Sequence, residues 1–170
     1  GKRLPLTVLE TVDLEIQAGE NASIEETDGS ATPQSWENAS EELLNIEKRP
    51  VMTMVLGAVD SGKSSFCTYL ANKVVNAGRK VTVVDGDVGQ SDIGPPSSIA
   101  YAPVTKPITD LFSLQAKNAI FIGETSPGNA VDRMVQGLGL LKKEALMGEP
   151  EVLIINTDGW IEGECAVDYK

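Results

Sequence analysis

A chain of 170 residues that is 41% hydrophobic can bury one substantial core, so one main domain or a little more is expected. Its 25 Asp and Glu against 14 Lys and Arg leave a net charge of −11, which argues against a broad basic surface able to grip nucleic acid unaided. The absence of any histidine excludes imidazole catalysis and His-ligated metal within these residues, so a proton acceptor must be a carboxylate or a lysine.

The acidic excess is concentrated in residues 1–50, which hold 4 bases and 11 acids. Residues 51–170 hold 10 and 14, which leaves room there for a local cationic site. Cys67 and Cys165 form no CxxC pair and are too few for a disulfide scaffold, so reduced, buried thiols are expected. No apolar run approaches the roughly 18 residues that span a bilayer, and the start carries no secretory pattern. A soluble, cytoplasmic protein without a membrane partner is therefore expected. The first residue is Gly rather than Met, and Asp168-Tyr169-Lys170 follow a structured stretch without a closing tail, so a fragment of a longer chain is expected.

Along the chain, residues 1–31 read as a β-rich N-terminal segment. Leu6–Leu9, Val12–Ile16 and Ser23–Glu26 have strand character, with a turn at Ala18-Gly19-Glu20-Asn21. Residues 32–50 read as a connecting helix, with Thr32 as N-cap, Pro33 at the first helical position, and Trp36, Ala39, Leu43 and Ile46 on one face. From Val51 onward strands and helices alternate, the pattern of an α/β fold with a mainly parallel sheet and helices on both faces. Strands are expected at Met52–Leu56, Lys80–Val84, Ala119–Ile122 and Val152–Ile155. Helices are expected at Lys63–Ala77, stopped by Gly78, and over roughly 128–147, with a loop at 85–98.

Between the first of these strands and its helix stands Gly57-Ala58-Val59-Asp60-Ser61-Gly62-Lys63-Ser64, which matches GxxxxGK[ST] at every fixed position. Its glycines let backbone wrap around phosphate while consecutive N–H groups point inward at a helix start. This P-loop implies a nucleoside triphosphate held by Gly57, Asp60, Ser61, Gly62, Lys63, Ser64 and Ser65. Lys63 would neutralise the β- and γ-phosphates and Ser64 would ligate Mg²⁺.

Asp85-Gly86-Asp87-Val88-Gly89-Gln90-Ser91 follows the second strand, where ligands of open parallel sheets bind. Its two carboxylates can divide the work, one serving magnesium through water and one accepting a proton, or they are ordinary turn residues. Gly123-Glu124-Thr125-Ser126-Pro127-Gly128-Asn129 either caps the next helix or holds an anionic backbone, with Arg133 one turn on. Asn156-Thr157-Asp158-Gly159-Trp160 closes the last strand, and Trp160 either stacks on a base or packs in the core.

The combination of GxxxxGKS, D-G-D-V-G-Q-S, T-S-P-G-N and N-T-D-G-W, over about residues 20–170, resembles the polynucleotide 5′-hydroxyl-kinase family of RNA processing, in particular its archaeal members. The resemblance implies transfer of the γ-phosphate of ATP to the 5′-hydroxyl of RNA or DNA, within a kinase core at 51–170 and with RNA-processing proteins as possible partners. It makes Asp87 the general base and gives Asp85 to the metal. Gln90 would arrange the water or metal shell beside the polynucleotide. Thr125, Ser126 and Asn129 would clasp the backbone, and Trp160 would stack on the terminal base. The family's arginine-bearing lid and C-terminal region lie beyond the last motif and are expected to be missing from residues 1–170.

Two rival readings use the same loop. A GTPase would read guanine through N/T-K-x-D, but the nearest approach, Thr105-Lys106-Pro107-Ile108, lacks the Asp. The Asp-Val-Gly-Gln order is also one residue shorter than the switch pattern D-x-x-G-Q. A nucleotide-stabilised, non-catalytic subunit of an RNA-processing complex would keep Lys63 and Ser64 and make no use of Asp87.

Overall fold

The computed structural model describes residues 15, 17, 19, 20, 23, 32–162, 166 and 170. The strands expected between residues 6 and 26 fall almost wholly outside these, as does Cys165. The chain divides into two compact units, residues 1–42 and 43–170. Helix α1 (Gln34–Asn45) begins in the first. The Pro33 carbonyl accepts from Trp36 N at 2.9 Å and Glu37 N at 3.4 Å, so Pro33 rather than Thr32 flanks the helix.

In the second unit β1 (Val51–Val55) leads through the Gly-rich loop into α2 (Lys63–Asn76), and β2 (Val81–Gly86) follows. Then come β3 (Ser98–Val104), β4 (Asn118–Phe121), α3 (Val131–Leu146) and β5 (Val152–Thr157). The helix α2 ends where expected: Gly78 has φ 72°, Gly78 N donates to Val75 O and Arg79 N to Val74 O. Both bonds of a Schellman stop are therefore made, and a left-handed residue is what that motif needs.

The five strands form one sheet in the order β1-β5-β2-β3-β4. The α/β architecture stands, but the sheet is mixed. β1, β5 and β2 are parallel, whereas β3 runs antiparallel to β2, and β4 antiparallel to β3. The sequence reading placed no strand at Ser98–Val104, and Pro103 explains why, since proline rarely occupies a central strand. It is tolerated because β4 pairs with β3 only as far as Tyr101, so at Pro103 strand β3 is an edge.

The side chains alternate between two cores. Val81, Val83, Ala102 and Ile154 pack with Cys67, Leu70, Ala71 and Val74 of α2. Val84, Ile99, Tyr101 and Leu153 pack on the other face with Met134, Leu141 and Ala145 of α3. Helices thus cover both faces, as expected. The parallel strands all end at the same edge, which assembles the functional segments. No helix among the described residues is long and apolar enough to cross a membrane.

Candidate functional site

The loop between β1 and α2 has the backbone that phosphate binding requires. Gly62 takes a left-handed φ of 87° at the N-cap of α2, and no side chain caps the helix, so the first-turn N–H groups face the loop. Asp60 also has a positive φ, 60°, a conformation that Asp tolerates better than most residues. Lys63 is 9% exposed, and its Nζ donates to Ala58 O at 2.9 Å, which holds the ammonium over the loop.

Asp85 and Asp87 emerge from β2 in different settings. Asp85 is fully buried. Its Oδ1 accepts from Asp87 N and Asn156 Nδ2, and its Oδ2 from Asp92 N at 2.7 Å and Ile93 N at 3.1 Å. From the end of β2 it therefore ties together both ends of the 87–93 loop. Asp87 is half-buried, and its Oδ1 accepts from Gly89 N and Gln90 N, both at 3.0 Å. This is the self-bonded turn that Asp favours, and among the described residues nothing donates to Oδ2.

Asn156 links the two motifs. Its Nδ2 lies 3.1 Å from Asp85 Oδ1 and 3.4 Å from Ser64 Oγ, and its Oδ1 accepts from the buried Cys67 thiol. Sequence reasoning assigned Asn156 no role. Its place as the first polar residue after the apolar Val152–Ile155 is visible in the sequence, but its position opposite Val55 and Asp85 comes from the register. Burial pushes the Cys67 thiol well above the ordinary range, with Asp85 adding to the effect, so Cys67 acts as a packing residue.

The turn after β5 reaches two further loops. Thr157 Oγ1 donates to Val55 O at 2.8 Å, and Trp160 N donates to Asp158 Oδ1 at 2.8 Å. A Cβ on Gly159 would stand 2.6 Å from Val59 N and 2.9 Å from Val59 Cα, so this backbone lies directly on the P-loop. The ring of the half-buried Trp160 lies beside Gly128, and Gly89 abuts Thr125 O. All four motifs therefore meet at one edge of the sheet.

Thr125, Ser126 and Asn129 are exposed, and α3 is N-capped by Ala130 without a side-chain bond. The helix-capping alternative for these three residues is therefore not seen. Of the three, Asn129 lines an open cavity of about 380 Å³ at the start of α3. The Arg133 guanidinium donates to Ile122 O at 2.6 Å and pairs with Glu124 at 3.8 Å. Among the described residues no three His, Cys, Asp or Glu form a metal cage.

Gly159→Ala is expected to push the P-loop aside, because Val59 N and Cα, which cannot rotate away, are in contact along with the Val59 side chain. Overpacking of this kind costs about 1–3 kcal/mol, and nucleotide affinity should fall by about tenfold in a calorimetric titration. An unchanged affinity and melting temperature would show that the loop is free to yield.

The Asp85 carboxyl is pushed from its ordinary 3.8 up to about 6, because burial outweighs the N–H donors from Ile93, Asp92 and Asp87 that pull it down. Its folded value exceeds its unfolded one, so its contribution to stability is full below pH 4 and is lost as pH rises through about 6. Urea melts of the wild type and Asp85→Asn should therefore differ by up to about 3 kcal/mol less favourably for the wild type at pH 7 than at pH 4. A pH-independent difference would mean that the carboxyl titrates normally.

Residues 57–170 match the mRNA cleavage and polyadenylation factor CLP1 P-loop family. The chain belongs to that family. Among CLP1-related proteins, the polyribonucleotide 5′-hydroxyl-kinase of Methanocaldococcus jannaschii is 36% identical over 119 residues, covering 70% of this chain and 33% of its own. The polyribonucleotide 5′-hydroxyl-kinase Clp1 of Danio rerio is 33% identical over 126 residues, covering 68% and 28%. The chain thus spans about a third of the length of such relatives. In the solved complex of Clp1p with Pcf11p, the matching chain has a TM-score of 0.62 at 16% identity, over 79% of this chain and 37% of that one. That likeness concerns the CLP1 fold.

Proposed function

We propose that this chain carries the phosphoryl-transfer core of an ATP-dependent polynucleotide 5′-hydroxyl kinase acting in the cytoplasm. The observation that carries the proposal is the Asn156 amide, bonded to both Ser64 and Asp85, which ties the P-loop to the Asp85–Asp87 loop at the ends of adjacent strands. The names borne by the relatives support the same reaction.

The P-loop backbone and Lys63 hold the triphosphate of ATP. Asp87 Oδ2 faces the acceptor, and it takes the proton of the 5′-hydroxyl as that oxygen bonds to the γ-phosphorus and ADP leaves. Gln90, Thr125, Ser126 and Asn129 hold the polynucleotide, and Trp160 stacks on its terminal base.

The residues present fit a magnesium ion. Ser64 offers a hydroxyl oxygen, and Asp85 stands behind it, separated by the Asn156 amide with its own oxygens already bonded. Magnesium keeps several of its waters, so one direct protein ligand, held in place by Asp85 through the Asn156 amide, suits it. When bound, the ion neutralises charge on the phosphate oxygens.

A neighbouring fold solved together with Pcf11p favours RNA-processing proteins as partners for this chain too. The test offers a γ-labelled ATP and paired oligonucleotides, one with a 5′-hydroxyl and one with a 5′-phosphate, to the longest form of the protein. Label should appear on the hydroxyl substrate alone, and labelling of both or neither would refute the reading.

A further inference from the structure

The Asp158 carboxylate, in the turn at 157–160, forms a buried ion pair with Lys170, whose ammonium is also within electrostatic reach of Lys63 and Asp87. Lys170 Nζ lies 3.0 Å from Asp158 Oδ2, with side-chain exposures of 11% and 4%. Charges withdrawn this far from water carry a desolvation penalty, and removing one partner strands the other. Such a pair is a poor device for stability alone, but it is a good one for fixing a geometry.

What it fixes is visible in the other bonds of Asp158. Its Oδ1 accepts from Trp160 N at 2.8 Å, and its carbonyl oxygen accepts from Lys170 Nζ at 3.3 Å. The Asp158 Oδ1 thus closes the turn that presents Trp160, while its Oδ2 and carbonyl oxygen face Lys170. The same turn is pinned to β1 through Thr157 and Val55 and rests on the P-loop at Val59, while the Trp160 ring lies beside Gly128. The carboxylate holds the turn from inside, and Lys170 holds the carboxylate.

We infer that the Asp158–Lys170 pair is a positioning element for the acceptor side of the site, fixing the turn that sets Trp160 against the Gly128 loop as a platform for the terminal base of a single-stranded polynucleotide. The inference rests on the role given to Trp160 above.

The test measures binding of a 5′-hydroxyl oligoribonucleotide labelled at its 3′ end, with ATP affinity and phosphoryl transfer followed in parallel, on the longest form of the protein. Lys170→Met should weaken oligonucleotide binding about tenfold, the lower range for one lost stacked base, with ATP affinity unchanged within about twofold. Lys170→Arg, which keeps a cation for Asp158, should recover most of the loss. Asp158→Asn should resemble Lys170→Met, and the double variant should be no weaker than either single one, because both remove the same interaction.

Unchanged oligonucleotide affinity in Lys170→Met and Asp158→Asn would overturn the inference. A parallel loss of ATP affinity would overturn it too, since that marks general destabilisation. Lys170-dependent binding in a wild type that transfers no phosphate would sink the kinase reading and leave the positioning role standing. Transfer that is indifferent to Lys170 would sink the positioning role alone, and a wild type that binds no oligonucleotide would overturn both.

Discussion

Asp87→Asn should lower phosphoryl transfer by about 10²–10⁴-fold while leaving nucleotide affinity within about twofold. The amide keeps an oxygen where Oδ1 accepts from Gly89 N and Gln90 N, so the loop retains its turn. The group lost is Oδ2, which becomes an NH₂ and can no longer take a proton. Single-turnover transfer combined with a nucleotide titration separates the two effects. Equal transfer by the variant would remove Asp87 as the base and favour a non-catalytic role for the nucleotide. Asp87→Ala is a less clean test, because it dissolves the turn as well.

Lys63→Ala should abolish both functions, with transfer falling by at least about 10²-fold, the scale on which one charge-stabilising donor acts. Its stem is nearly buried and its Nζ is held by Ala58 O, so the ammonium sits over the loop instead of ranging through solvent. Lys63→Arg should not restore transfer, because the planar guanidinium cannot occupy the place of a compact ammonium within the same loop. ATP binding by equilibrium dialysis and transfer under saturating ATP are the two readings. A variant that binds and transfers normally would mean that the P-loop is not used.

The contrast between Asp85 and Asp87 shows what was legible in the sequence. Spacing alone placed both carboxylates beyond the second strand, but Asp85 is its penultimate residue, fully buried under four N–H donors, while Asp87 keeps an oxygen to which no described residue donates. That difference arises from the chain folding back at Asp92 and Ile93, a contact between loop residues that follows no period. The P-loop was readable because its chemistry is local: one strand, eight residues and one helix contain the whole device. Asn156 was not, because its role comes from strand order, which inserts β5 between β1 and β2.

The sheet itself was legible in its parallel half and not beyond. Apolar runs such as Val81–Val84 and Val152–Ile155 have lengths and flanks that fit buried strands. Strand β3 carries Pro103 and begins after a stretch rich in Gly, Pro and Ser, so local signals argue for a loop while pairing with β2 makes it a strand. Tertiary pairing prevails over local preference here, as it often does for strands.

The fate of the γ-phosphoryl group separates a kinase from a protein that only binds nucleotide. The full-length protein would be incubated with γ-labelled ATP and a 5′-hydroxyl oligoribonucleotide, and the products separated into oligonucleotide and inorganic phosphate. Label is expected on the oligonucleotide, located at its 5′ terminus after nuclease digestion and absent with Lys63→Ala. Label found only as inorganic phosphate, or left entirely in ATP while the protein binds nucleotide, would contradict the kinase reading.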